Sequence, residues 1–209
     1  IEYLQQYLTI AKEIGDRQGE ANSLGSLGIA YGSLGQYQKA IEFYQQSLTI
    51  AKEIGDRQGE ANSLGSLGIA YRSLGQYQKA IEYLQQYLTI AKEIGDRQGE
   101  ANSLGSLGIA YGSLGQYQKA IEFYQQSLTI AKEIGDRQGE ANSLGSLGIA
   151  YRSLGQYQKA IEYLQQYLTI AKEIGDRQGE ANSLGSLGIA YGSLGQYQKA
   201  IEYLQQYLA

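Results

Sequence analysis

The stretch "SLGSLGIAYGSLG", residues 23–35, decides the fold, because two kinds of residue recur in it at helical spacing. Glycines stand at positions 25, 28, 32 and 35, and larger apolar residues stand one place earlier, at 24, 27, 31 and 34. Intervals of three and four residues place each set on its own stripe of an α-helix. Because an interior glycine costs about 1 kcal/mol relative to alanine, we expect close packing to offset the bare stripe.

The 209-residue chain is one 40-residue unit written five times, with a short remainder. Residues 1–80 and 81–160 are identical, and two versions of the unit alternate within that period. One version carries Tyr3, Leu4, Tyr7 and Gly32, and the other carries Phe43, Tyr44, Ser47 and Arg72. A fixed period of this length indicates an array of stacked units instead of a globular fold with one central core.

Each unit is predicted to form two helices. Helix A is expected over Arg17–Leu34, with Asp16 as its N-cap and Gly35 as its stop. Helix B is expected over Tyr37–Ile54, where apolar residues recur on one side, with Gly55 as its stop. No strand-like alternation is present, so the predicted fold class is all-α: a right-handed superhelical solenoid of antiparallel helix pairs.

We expect a single repeat domain over residues 1–209. Its predicted parts are a partial helix B at 1–14, helix A/helix B units at 15–54, 55–94, 95–134 and 135–174, and a last unit at 175–209 whose helix B is truncated. The chain does not begin with Met, which predicts either a fragment or a processed chain. Its terminal helices are either the limits of that fragment or specified caps and contact surfaces.

Composition narrows the possible chemistry. The chain has no His and no Cys, which excludes Cys/His zinc sites, a Ser-His-Asp triad and a cysteine nucleophile. The net charge of −4 is spread evenly, and no apolar run reaches the length of a membrane span. We therefore expect a non-catalytic, cytoplasmic protein without a cofactor or metal, a signal peptide, a nucleic-acid partner or a membrane partner.

The unit resembles the tetratricopeptide repeat (TPR). The matching residues are Leu24, the pair Leu27 and Gly28, Tyr31, Ala40 and Tyr44. Leu24 stands in place of the family's Trp, Lys52 stands near the expected Pro, and the unit is six residues longer. The longer unit is similar to a 40-residue variant of the repeat. The resemblance covers the whole chain and implies a scaffold that binds proteins or peptides.

The resemblance also implies separate roles for the glycines. The position of Gly28 lets helix A approach its partner helix closely, and the positions of Gly25 and Gly32 lie on the concave face. Arg72 and Arg152 replace Gly32 in alternate units, so that position is expected to border solvent. The Lys and Asn with which one subclass clamps a terminal carboxylate are absent at Gly25 and Ile29.

A concave groove is the candidate binding surface. Its predicted residues are Asn22, Ile29, Ser33, Asn62, Ile69, Arg72, Asn102, Ile109, Asn142, Ile149, Arg152, Asn182 and Ile189. In one interpretation an asparagine ladder and two arginines attract an extended acidic peptide. In the other, this face is solvated and has no evolved ligand.

The alternation of Tyr44 and Ser47 with Leu84 and Tyr87 predicts a second surface. The two positions are three residues apart and share a helix face, so we expect an interlocking seam between units. At the chain ends the same positions predict an aromatic association patch, consisting of Tyr3, Leu4, Tyr7, Tyr203, Leu204 and Tyr207. Homo-oligomers or end-to-end association would follow from this patch.

Recurring carboxylates near the turn are candidates for acid–base catalysis, because one carboxyl group can act as the acid and another as the base. Glu53, Asp56 and Glu60 lie beside Lys52 and Arg57, and we expect solvated side chains that cap helices. The repeats leave no unique constellation of residues for catalysis. The predicted function is a non-catalytic scaffold for protein–protein interaction, which is engineered, near-consensus or recently duplicated and is able to self-associate. The alternative is a natural peptide-binding module.

Overall fold

The computed structural model describes residues 1–208, which contain eleven α-helices and no strand. The helices are α1 (Glu2–Ile14), α2 (Arg17–Ser33), α3 (Tyr37–Ile54), α4 (Arg57–Ser73), α5 (Tyr77–Glu93), α6 (Arg97–Ser113), α7 (Tyr117–Ile134), α8 (Arg137–Ser153), α9 (Tyr157–Ile174), α10 (Arg177–Ser193) and α11 (Tyr197–Leu208). Even-numbered helices are A helices and odd-numbered helices are B helices. The predicted all-α class is therefore confirmed.

The helix ends follow the predicted local chemistry. The Asp16 carboxylate accepts a hydrogen bond of 2.8 Å from the backbone N–H of Gly19 at the start of α2. Gly35 and Gly55 adopt φ values of 72° and 73°, in the left-handed region where glycine is not strained. Helix α2 ends at Ser33, one residue before the predicted Leu34, because Leu34 has left the helical conformation at its cap.

Two compact units make up the chain, one spanning Ile1–Ala110 and one beginning at Tyr111. In the first unit α1 packs on α2, α2 on α3, α3 on α4 and α4 on α5, and α2 also contacts α4 directly. In the second unit α7, α8, α9, α10 and α11 pack in succession, and α8 contacts α10. Contacts between neighbouring A helices give each unit a surface lined by them, which we call the A-helix face.

In each 40-residue repeat, the core is built from the apolar stripes of helix A and helix B. Leu24, Leu27, Leu64 and Leu67 of the A helices are fully buried, as is Ile41 of α3. One cluster in the first unit joins α3 to α4 and α5 and is formed by Ala40, Ile41, Tyr44, Leu67, Ala70, Tyr71 and Ala80. The apolar positions thus bury as the helical periodicity predicts.

Gly28 and its counterparts permit close helix packing, as expected. A Cβ atom at Gly28 would lie 2.4 Å from Cε1 of Tyr44, and one at Gly68 would lie 2.6 Å from Leu84. Real Cβ contacts are not this short, so helix A meets its partner helix through a bare backbone. The cost of glycine inside the helix is offset at this contact.

The expectation that Gly25 and its counterparts lie open on the concave face was wrong for Gly65 and Gly145, which Tyr87 and Tyr167 cover. Gly65 is buried beneath Tyr87, and a Cβ there would lie 3.1 Å from the ring. Gly25 faces Ser47, and a Cβ built at Gly25 would lie 3.6 Å from the Ser47 Oγ. The physical reason is helical geometry: Gly25 is three residues from Gly28, so both face helix B.

Aromatic stacking supports each helix pair. Tyr71 stacks on Tyr83 with ring centroids 5.2 Å apart and an interplanar angle of 5°, and Nζ of Lys79 lies 5.3 Å from the Tyr71 centroid. Tyr31 stacks on Phe43 in the same way, with ring centroids 5.2 Å apart. Tyr37, the first residue of α3, is half-buried. The stacked pairs themselves were not foreseen from the sequence.

Candidate functional site

The A-helix face of the first unit contains a hollow of about 280 Å³ between α2 and α4. Its lining includes Asn22, Gly25, Ser26, Ile29, Ser47, Gly59, Asn62, Ser63 and Ser66. Three of these residues, Asn22, Ile29 and Asn62, belong to the predicted concave groove. The hollow has one wall from Tyr44, a buried ring of α3.

The predicted groove residues lie mainly on accessible positions of the A helices. The five isoleucines are exposed: Ile29, Ile69, Ile109, Ile149 and Ile189. Ser33 and the five asparagines are exposed as well, whereas Arg72 and Arg152 are half-buried. Within each unit the structure thus brings together an apolar row and a polar row on neighbouring turns of the A helices.

The asparagines already have partners in the chain. The Asn22 side-chain oxygen accepts a hydrogen bond of 3.3 Å from Gln18, and Asn62 accepts one of 3.2 Å from Gln58. The same pairing recurs at Asn102, Asn142 and Asn182. Asn102 and Asn182 also hydrogen-bond tyrosine hydroxyls, those of Tyr87 and Tyr167. The sequence pattern contained no signal for these tyrosine contacts.

Ser47 forms the floor of the hollow. Its Oγ donates to the carbonyl oxygen of Ala21 at 2.9 Å, and Ser63 bonds its Oγ at 3.2 Å. Burial raises the pKa of the Tyr44 phenol, and a hydrogen bond with Ser66 acts in the opposite direction. The floor is therefore polar but satisfied, whereas one wall is aromatic.

Tyr87 occupies the corresponding place in the next repeat. Its ring covers Gly65 of α4, and its hydroxyl would lie 3.1 Å from a Cβ built at Gly99 of α6. Burial raises the pKa of the Tyr87 phenol, and the charge of Asp96 acts in the same direction, while the hydrogen bond with Asn102 lowers it. Tyr87 thus bridges two A helices within the first unit, which fits the predicted interlocking seam.

The carboxylates near the turn form ion pairs instead of facing solvent uniformly. Glu60 is only 8% exposed and lies 2.5 Å from Arg57 and 3.8 Å from Nζ of Lys52. The expectation of a solvated side chain was therefore wrong for Glu60. Only two residues separate the end of α3 at Ile54 from the start of α4 at Arg57, so Lys52 of the last turn of α3 lies within ion-pair distance of Glu60. Arg57 also binds Glu93, which joins α4 to α5.

The terminal patch residues differ in exposure. Tyr3, Tyr7, Leu204 and Tyr207 are exposed, whereas Leu4 and Tyr203 are half-buried. Tyr203 stacks on Tyr191 with centroids 5.3 Å apart. Residues 157–168 and 197–208 have the same sequence, yet Leu164 is 1% exposed and Leu204 is 37% exposed. Leu164 lies in a cluster with Leu187 of α10, and this contact covers the side chain.

No helix within residues 1–208 combines the length and the apolar character that crossing a bilayer requires. The described side chains also include no group of three or more Asp and Glu placed to hold a metal ion.

Known structures share this architecture. BtubC from P. vanneervenii has a TM-score of 0.87 and 19% identity, with 99% of this chain and 87% of that chain covered. A putative kinesin light chain from Podosopora anserina, with nearly identical TPR-like repeats, has a TM-score of 0.75 and 29% identity, with 89% of this chain and 92% of that chain covered. A Rap protein complexed with competence and sporulation factor has a TM-score of 0.76 and 19% identity, covering 91% and 53%.

Stacked helix pairs with an accessible A-helix face define a helical-repeat scaffold. The family model for the tetratricopeptide repeat matches residues 1–53, 47–93, 60–133, 99–173 and 139–209. The chain therefore belongs to the tetratricopeptide repeat family, as its resemblance implied. The search of curated proteins found no match.

Proposed function

We propose that this protein is a non-catalytic interaction scaffold that binds an extended segment of a partner protein on its A-helix face. The observation that carries this proposal is the open hollow between α2 and α4, which is lined in part by the exposed side chain of Ile29, while Ile69 is exposed on the next A helix. Exposed apolar side chains next to amides are suited to an extended peptide, because alternate peptide side chains can dock while amides bind its backbone.

Two further features support binding at this face. Arg72 stands on the last turn of α4, only half-buried, and supplies a positive charge to a partner with acidic residues. A Rap protein of the same fold is known in complex with competence and sporulation factor. We infer that the near-identical repeats are a consensus-like array whose binding face is modified chiefly by the exchange of glycine for arginine.

A peptide array tests the proposal directly. The purified chain should select a small set of extended peptides, and the variant carrying Ile29→Lys and Ile69→Lys should lose about tenfold or more in affinity for them. The matched control carries Gln46→Lys and Gln86→Lys, which add the same charges at exposed positions of the B helices. Absence of any sequence-selective peptide, or equal losses in both variants, would contradict the proposal.

Self-association through the terminal helices is a second candidate, favoured by the exposure of Leu204 compared with its buried counterpart Leu164. Apolar side chains exposed on a helix face gain stability when a second copy covers them. Leu204, together with Tyr3, Tyr7 and Tyr207, supplies the surface for end-to-end contact.

Sedimentation measurements test self-association. The double variant Leu204→Tyr with Tyr207→Ser should be less associated than the unmodified chain at equal concentration. The control applies the same exchange inside the array, as Leu164→Tyr with Tyr167→Ser, and should leave association unchanged. A monomer before and after the exchange at Leu204 and Tyr207 would show that the patch does not associate.

A further inference from the structure

We propose that the hollow above Ser47 binds the side chain of a tyrosine carried by the partner segment. The inference rests on the proposed function, because it concerns one contact of a segment bound along the A-helix face. The chain itself supplies the template: forty residues later, the position of Ser47 is occupied by Tyr87.

The surroundings of Tyr87 correspond residue by residue to the walls of the hollow. Tyr87 covers Gly65, its hydroxyl approaches Gly99, and it hydrogen-bonds Asn102. The counterparts of these three residues one repeat earlier are Gly25, Gly59 and Asn62. All three counterparts line the hollow, as does Ser47.

The volume left open suits a single side chain. Serine in place of tyrosine removes the ring that would cover Gly25, and the remaining cavity measures about 280 Å³. This is slightly below the range of about 300–1,000 Å³ that drug-sized ligands occupy. Where the next repeat has Leu84, this repeat has the larger Tyr44. The Tyr44 ring narrows one wall of the hollow but leaves the hollow open.

The polar group at the rim distinguishes tyrosine from phenylalanine. The oxygen of Asn62 accepts from Gln58 at 3.2 Å, so its amide N–H groups are the ones available to a ligand. Asn102 has the same bond to a glutamine, Gln98, and still pairs with the Tyr87 hydroxyl. A phenol oxygen held at the rim beside Asn62 would therefore find an amide donor equivalent to the one that Asn102 offers Tyr87 in the next repeat.

Disulfide tethering tests the hollow by itself. The chain has no Cys, so Ser26→Cys at the half-buried rim creates a unique thiol. Three disulfide probes are compared by mass spectrometry at fixed reductant: a 4-hydroxyphenethyl amide, a phenethyl amide and an isobutyl amide. The hydroxyphenethyl probe should conjugate about fivefold better than the phenethyl probe, as one added hydrogen bond allows. The isobutyl probe should conjugate least.

Two variants in the same Ser26→Cys background serve as controls. Tyr44→Leu with Ser47→Tyr transfers the pair found at Leu84 and Tyr87, a combination that the array already folds, and should abolish the preference. Asn62→Ala should remove the advantage of the hydroxyl while keeping that of the ring. Equal conjugation of all probes, or a preference that persists after Ser47→Tyr, would overturn the tyrosine pocket.

The outcomes separate this inference from the proposed function. Selective peptides on the array without any probe preference would refute the tyrosine pocket and leave peptide binding intact. A phenol preference without any selective peptide would refute the proposed function, because the hollow would then be unconnected to segment binding.

Discussion

The ring of Tyr87 lies over Gly65, so closely that a Cβ at Gly65 would come within 3.1 Å of ring atoms Cδ1 and Cε1. One repeat earlier, the equivalent Gly25 faces the small side chain of Ser47, with 3.6 Å to its Oγ. The same glycine position therefore alternates between a covered contact and the wall of an open hollow. Substitutions along this stripe should have opposite effects at neighbouring glycines.

Gly28→Ala should destabilise the fold, and Gly25→Ala should stabilise it. The new methyl at Gly28 would collide with the Tyr44 ring at 2.4 Å, and overpacking of this kind costs about 1–3 kcal/mol. At Gly25 the methyl meets only ordinary contact distances, so the gain in helix propensity of up to about 1 kcal/mol remains. Urea midpoints of the two variants measure this, and a Gly28→Ala chain more stable than Gly25→Ala would contradict the packing argument.

Glu60→Gln should lower the melting temperature more than Glu93→Gln. Both carboxylates bind Arg57, but the Glu60 side chain is 11% exposed and the Glu93 side chain is 52% exposed. Loss of the more buried charge leaves Arg57 and Lys52 without their shared partner, and we expect a decrease of about 2–4 °C. The ion pair between Arg57 and Glu93 contributes little to stability, because water screens it. Equal shifts in calorimetry would show that burial of Glu60 adds nothing.

Asp56→Asn should remove part of the stability that the chain gains above acidic pH. The backbone N–H of Gly59 and the side chain of Gln18 donate to the Asp56 carboxylate and hold its pKa below the ordinary value of 3.8. A lowered folded-state pKa contributes stability that is present above the unfolded value and is lost as pH falls through the folded value.

The measurement is a set of thermal melts of both proteins between neutral pH and strongly acidic pH. Asparagine keeps the N-cap hydrogen bond without the charge, so it is the matched variant. The unmodified chain should be more stable at neutral pH, and the difference should vanish at the acidic end. A difference that does not change with pH would exclude the carboxylate as its source.

Tyr87→Phe should make the chain less sensitive to alkali. Burial, reinforced by Asp96, raises the pKa of Tyr87 above its ordinary value of 10.0. A raised folded-state pKa contributes stability that is present below the unfolded value and is lost as pH rises through the folded value. Phenylalanine does not ionise, so its variant should lose less stability in this alkaline range.

Circular dichroism across an alkaline titration gives the midpoint of unfolding for each protein. The midpoint of the Tyr87→Phe variant should lie at higher pH than that of the unmodified chain, even though it lacks the bond to Asn102. Coincident midpoints would mean that ionisation of Tyr87 does not contribute to alkaline unfolding.

Much of the architecture could be predicted because its causes are local. Asp16 caps the helix that follows it, and Gly35 ends one, through hydrogen bonds and dihedral angles set within a few residues. The role of Gly28 was also predictable, because the resemblance to the repeat family marks that position for close packing. Exposure of the isoleucines followed from the helical stripe.

The candidate site was less predictable, because its parts come from three helices. The hollow is formed by α2, α3 and α4, and its floor at Ser47 lies between α2 and α4. No spacing within one helix indicates that Asn102 meets Tyr87 or that Glu60 pairs with Lys52. These contacts depend on the distance and rotation between neighbouring helices.

By itself, the sequence determined the period, the eleven helices, their ends and the apolar stripes that pack them into pairs. Each of these follows from propensity, capping or periodicity within a single unit. Only the tertiary structure decided which counterparts of Gly25 are covered, which carboxylate is buried and where a hollow remains. The physical reason is that nearly identical units have the same local chemistry, whereas burial depends on whether the neighbouring helix presents Ser47 or Tyr87.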